Sequence, residues 1–337
     1  MIYPWHKSEF SNLLERRGQL PHALLMRGPQ GIGKLAYAEA IAHALLCESP
    51  GSDGSACGRC TACGWIGQGS HPDFRRLEPE ALTGARDAEE RVEKKKPSEE
   101  IRVEQVRGIE DFIQVTSHRG GAKIVLIHPA ETLNANAANA LLKNLEEPPP
   151  RTYFLLVAHR WHQLLPTIKS RCQQIALPQP SAEAARGWLK EQGLRDPDLA
   201  LAHAGGAPLL AAKLDEEYWQ QRAWFLKAIS SKGLDALAIA EQLRDHAPAM
   251  VVNWLQKWSY DLVCHKVTGK VSYNPDFAVP ISVAADRTGL LEAVRFLRLM
   301  VRTQRIVSHP LNTRLFFEEL LLAYADLLRR RPLEMAA

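Results

Sequence analysis

Short apolar runs alternate with helix-length segments along the first half of the chain. The runs His22 to Arg27, Asp73 to Leu77, Lys123 to His128, Tyr153 to Ala158 and Cys172 to Leu177 are mostly rich in branched or aromatic residues and read as strands. Helix-length segments between them imply a parallel, doubly wound sheet. One such helix is expected at Asn136 to Glu147. There Ala138, Leu141, Leu142 and Leu145 form a stripe at helical spacing, and Pro148-Pro149-Pro150 stops it.

After Pro178-Gln179-Pro180 the strand pattern gives way to helices. A small helical unit is expected from Ser181 to Leu214, broken at Ala204-Gly205-Gly206-Ala207-Pro208. A longer all-helical region follows from about Asp215, with the stripe Trp254, Leu255, Trp258 and Leu262. The expected domains are therefore 1–178, 179–214 and 215–337, which suits a chain of 337 residues. The segment Gly84 to Glu100 is charged and poor in apolar residues, and it reads as a solvated loop.

Composition narrows the classes. With 46% apolar and 24% charged residues, the chain is neither disordered nor collagen-like. No apolar run approaches the roughly 20 residues of a membrane helix. The opening Met1-Ile2-Tyr3-Pro4-Trp5-His6-Lys7 lacks a signal-peptide pattern, so a cytoplasmic protein is expected. Lysine plus arginine number 42 against 38 acidic residues, and the net charge of +4 is too small to argue for nucleic acid by itself.

Gly28-Pro29-Gln30-Gly31-Ile32-Gly33-Lys34 follows the first strand and opens a helix, the setting of a phosphate-binding loop. Gly28 and Gly33 would let backbone N–H groups converge on phosphate, and Lys34 would reach the outer phosphates. The next residue is Leu35, where magnesium binding needs a hydroxyl. The strand Lys123 to Ile127 should end in an aspartate for the metal and a glutamate for the attacking water. It runs instead into His128-Pro129-Ala130-Glu131. Imidazole is a poor magnesium ligand and proline has no ionisable group. Glu131 is displaced by two positions and carries little weight. The fold of an ATPase is expected without its chemistry.

Four of the six cysteines fall between Cys47 and Cys63. Cys57, Cys60 and Cys63 recur every three residues, and Cys47 precedes them at the end of the helix after the phosphate loop. Such crowding in a cytoplasmic chain points to a metal rather than to disulfides. Four thiolates suit a tetrahedral zinc with no open position, hence a structural site. An iron–sulfur cluster is the alternative, although the usual terminal Cys-Pro is absent. A zinc module that binds nucleic acid would have only Arg59 and Trp65 nearby to work with. His71-Pro72-Asp73 leads into the second strand, and His71 reads as structural.

The run Asn139-Ala140-Leu141-Leu142-Lys143-Asn144-Leu145-Glu146-Glu147-Pro148-Pro149, the triplet Ser170-Arg171-Cys172, the eroded phosphate loop and the cysteine cluster together resemble the bacterial clamp-loader subunits, which are AAA+ proteins. The resemblance implies an AAA+ sheet domain, a small helical lid and an all-α collar that joins five subunits. The erosion, with the Tyr3-Pro4-Trp5 opening, resembles the subunit of that family that is not a motor. The partners implied are the gamma/tau motor subunits and the delta subunit and, through the complex, the sliding clamp and primer-template DNA.

Arg171 matches the arginine that crosses a subunit interface to a neighbour's ATP. Taken alone it would read as a surface ion-pair residue. The motor's lid arginine matches the region of Ala207 and Pro208, and Ala158-His159-Arg160 stand where threonine or asparagine would sense phosphate. Nucleotide binding at Lys34 without hydrolysis stays open, as does an independent ATPase as the competing reading.

Overall fold

The computed structural model describes residues 2–83, 97–118, 121–307 and 312–329. The expected loop Gly84 to Glu100 thus lies outside the described residues except for its last four. Five parallel strands form one sheet: β1 (Ala23–Arg27), β2 (Phe74–Leu77), β3 (Lys123–Ile127), β4 (Thr152–Ala158) and β5 (Gln173–Ala176). Their order across the sheet is β2-β3-β4-β1-β5. All five sequence-predicted strands are present, each shifted or trimmed by a residue or two at its ends.

Register follows from burial on both faces. Leu25, Val125, Ile127, Phe154 and Leu156 point into one core; Leu24, Met26, Ile124, Leu126, Leu155 and Val157 point into the other. Strands of continuous Val, Ile and Leu are what a sheet covered by helices on both sides requires. At the edge, β5 keeps Gln173 and Gln174 exposed, which blunts it against further pairing. The helix predicted at Asn136–Glu147 spans Ala135–Glu146, because the Asn134 side chain accepts from the Ala137 N–H and caps it one residue earlier. Of its predicted stripe, Ala138, Leu141 and Leu145 are buried with Ala137, while Leu142 is only partly covered.

The chain divides into two compact units, Met1–Ala184 and Ala185–Ala337. The second contains only helices among its described residues. The helix Ala182–Glu191 spans the boundary, Pro197–His203 and Pro208–Ala211 follow, and Asp215 caps the next, Glu216–Ser230. The break between the second and third falls at Gly205 and Gly206, followed by Pro208 in the first helical turn. The long helix Pro248–Thr268 buries Trp254, Leu255, Trp258 and Leu262 as its spacing predicts. Here Trp258 Nε1 donates to the Tyr324 hydroxyl at 2.9 Å. Among the described residues no helix is long and apolar enough to cross a membrane.

Candidate functional site

The loop after β1 is closed onto the chain itself. Gly28 and Gly33 have φ of +151° and +97°, and each is pressed by a neighbour. A Cβ on Gly28 would stand 2.4 Å from the Leu177 carbonyl oxygen, and one on Gly33 2.4 Å from the Tyr3 ring. Tyr3 stacks on Trp5 at 5.1 Å. Trp5 Nε1 donates to the Ile32 carbonyl at 2.9 Å, and His6 Nε2 reaches the same oxygen at 2.8 Å. The N-terminal aromatic segment is therefore a clasp over the loop.

Lys34 begins the helix Lys34–Leu46 and is 2% exposed. Its Nζ donates to the Gly28 carbonyl at 2.8 Å and also to the Pro29 carbonyl. The ammonium is thus hydrogen-bonded to the loop's own oxygens. Burial pushes Lys34 down to about 8, opposed by the charge of Glu131. Folding disfavours its charged form, so the unfolded chain binds this proton more tightly. The contribution of Lys34 to stability should therefore rise as pH climbs from about 8 through the ordinary lysine range near 10.4. Urea denaturation across that window should show stability gaining less with pH in Lys34→Met than in the wild type. Some slope should remain, because burial also holds Lys257 down to about 8.

Where an ATPase of this fold would hold magnesium, β3 ends in a web of imidazoles. His128 Nδ1 lies 3.2 Å from Glu78 Oε1, and its Nε2 lies 3.2 Å from His159 Nε2. Burial, then the charges of Lys34, His128 and Arg160, hold His159 down to about 3, so its ring is neutral at pH 7. Sequence reasoning passed over Glu131. Its carboxylate, 2% exposed, accepts from the backbone N–H groups of His159 at 3.1 Å and Arg160 at 3.0 Å. It ties the end of β3 to the end of β4. An acid four residues beyond a buried strand was the only signal, and it looked like a misplaced catalytic group rather than a brace.

Arg171 follows the short helix Pro166–Lys169 and leads into β5. Its side chain, one-third exposed, forms an ion pair with Glu146. Nη1 donates to the Thr167 carbonyl at 3.0 Å. The bland reading, a surface ion-pair residue, describes the isolated chain well. His71 accepts from the Asp73 N–H at 3.0 Å through Nδ1 and is buried, a structural role.

The four cysteines converge. Cys47 caps the end of Lys34–Leu46, Cys60 caps the start of the helix Thr61–Gly67, and Cys63 sits in its first turn. The four Sγ atoms lie within 4.8 Å of one another, with Cys47 and Cys60 at 3.9 Å. Thiolates about 2.3 Å from one tetrahedral ion stand close to this far apart, so the set fits a metal such as zinc. Backbone N–H groups of Cys57, Cys60 and Cys63 point at the sulfurs of Cys47, Cys57 and Cys60, at 3.2, 3.4 and 3.5 Å. Such bonds stabilise thiolate charge and orient the ligands. The segment 51–55 is closed by its own bonds, Gly51 N to Ser55 O at 2.9 Å and Ser55 N to Asp53 Oδ1 at 3.0 Å. Cys172 is apart from the cluster, its thiol pushed up to about 12 by burial.

A parallel sheet of order β2-β3-β4-β1-β5, with a glycine-rich loop and helix directly after β1 and an all-helical unit following it in the sequence, defines an AAA+-type P-loop fold. The family described as DNA polymerase III, delta subunit matches residues 6–181, and its C-terminal counterpart matches residues 216–326. The DNA polymerase III subunit delta' of Pseudomonas aeruginosa is 37% identical over 97% of this chain and 98% of that one. The delta' subunit of Haemophilus influenzae is 31% identical over 93% and 94%. The chain belongs to the DNA polymerase III delta' family. Among solved structures, a gamma subunit-related protein of Thermotoga maritima aligns with 95% of this chain and 99% of that one, at 20% identity and a TM-score of 0.47.

Proposed function

We propose that the chain is the fixed, non-hydrolysing member of a bacterial clamp loader, which helps place the sliding clamp on primed DNA and lends Arg171 to the ATP site of an adjacent motor subunit. The observation that carries this reading is the state of the phosphate loop. Lys34 is bound to the carbonyls of Gly28 and Pro29, Leu35 has no oxygen for magnesium, and His128 and Pro129 stand where its acids belong. A motor subunit needs all of these parts in order; a subunit that only supplies an arginine to its neighbour needs none. Similarity to delta' subunits along nearly the whole chain supports the same role.

In this reading residues 1–178 are the AAA+ domain with the cysteine module 47–63 inserted, 179–214 the lid and 215–337 the collar that joins the ring. Zinc held by Cys47, Cys57, Cys60 and Cys63 is structural, since four sulfurs leave no position for a reacting water. The partners are the gamma/tau motor and delta subunits, in the cytoplasm. A second reading, nucleotide held without hydrolysis, rests on the surviving Lys34, and titration with an ATP analogue reads it separately. Free of motor subunits, the purified chain should turn over ATP no faster than buffer. Mixed with motor and delta subunits, it should yield a ring on size exclusion that the same mixture without it does not form. Turnover by the chain alone, or a ring indifferent to its presence, would sink the proposal.

A further inference from the structure

Arg171 makes an ion pair, a hydrogen bond to a carbonyl and a longer one to a hydroxyl. Glu146, the last residue of the helix Ala135–Glu146, pairs with Nη2. The Thr167 carbonyl, near the end of the helix Pro166–Lys169, takes Nη1 at 3.0 Å, and the Ser170 hydroxyl lies 3.4 Å from the same nitrogen. Nε is enclosed and has no partner among the described residues. Two helices remote in sequence thus fix the plane of one guanidinium. The side chain is one-third exposed.

We infer that Glu146 is a positioning residue for Arg171: its carboxylate holds the guanidinium in one orientation, from which it engages the terminal phosphate of a nucleoside triphosphate on the adjoining subunit. This rests on the trans-acting reading of Arg171 above. A free arginine side chain loses much of its rotamer freedom on engaging phosphate. A charge-assisted bond from Glu146 and a carbonyl from Thr167 remove part of that freedom beforehand. Glu146 itself is about half exposed, and among the described residues Arg171 is the cation its carboxylate pairs with.

The test uses the reconstituted clamp-loading complex carrying wild-type, Glu146→Ala, Glu146→Gln, Arg171→Ala or Glu146→Ala/Arg171→Ala chain, assayed for DNA-stimulated ATP hydrolysis and clamp loading. Glu146→Ala should lower the loading kcat about three- to tenfold, the scale of a misoriented but present catalytic group, with the KM for ATP unchanged. Glu146→Gln, which retains an acceptor oxygen, should recover part of the loss. The double variant should be no slower than Arg171→Ala alone. Loading by Glu146→Ala at or above the wild-type rate would overturn the inference, as would a double variant slower than Arg171→Ala, since Glu146 would then act apart from the arginine. An Arg171→Ala complex with full activity would instead overturn the trans-acting reading itself.

Discussion

Arg171→Ala should leave folding and metal content of the isolated chain intact while crippling the complex it joins. The side chain is one-third exposed, and an exposed pair such as Arg171 with Glu146 contributes at most about 1 kcal/mol to stability. The effect on chemistry is of another order. An arginine inserted into a neighbour's phosphate site accelerates transfer there by roughly 10³- to 10⁵-fold, because its planar, permanently charged fork stabilises charge spread over the equatorial oxygens. One motor site faces this chain in the proposed ring, so total DNA-stimulated hydrolysis should fall by a fraction. Clamp loading, which needs the sites to fire together, should fall further. Equal hydrolysis and loading with wild-type and Arg171→Ala chain would remove the arginine from the mechanism.

The second large effect concerns the cysteines. Freshly purified protein should carry one zinc, and Cys60→Ala should abolish stoichiometric metal while β3 and β4, buried on both faces, keep their amide protection. Cys60 is the ligand to change because its sulfur accepts from the Cys63 N–H and lies 3.9 Å from Cys47, at the centre of the cluster. Structural zinc supplies on the order of 10 kcal/mol in isolated fingers. In this chain the loss should be confined to local opening between Cys47 and Gly67, read by hydrogen exchange. Metal analysis that finds iron, or none with four titratable thiols, would refute the assignment.

The sheet and the long helices were legible because burial writes itself into the sequence. A run such as Lys123-Ile124-Val125-Leu126-Ile127 has few alternatives, and the spacing of Trp254, Leu255, Trp258 and Leu262 admits one period. The cysteines were legible because thiolate spacing is constrained by a single ion. What stayed hidden depends on tertiary contact. The Tyr3-Pro4-Trp5 opening carried a resemblance in the sequence, but its role as a clasp shows only when the fold brings Ile32 and Gly33 against Tyr3, Trp5 and His6. Glu131 and His159 lie 28 positions apart, and only the adjacency of β3 and β4 makes the carboxylate a brace for the backbone beyond β4. Glu146 likewise has no visible link to Arg171 until two helix ends meet.

The helix Lys34–Leu46 joins the two best-defined chemical features of the first unit. It begins at the lysine of the phosphate loop and ends against Cys47, and its 13 residues make a rod of about 20 Å. Tyr37, Ala38, Ile41 and Ala42 hold it along its length, so it has little freedom to bend or slide. The Cys47 end and the Lys34 end are therefore held at a fixed spacing by one element. The cysteine knuckle and the glycine-rich loop are gauged against each other, like the two ends of a spacer bar.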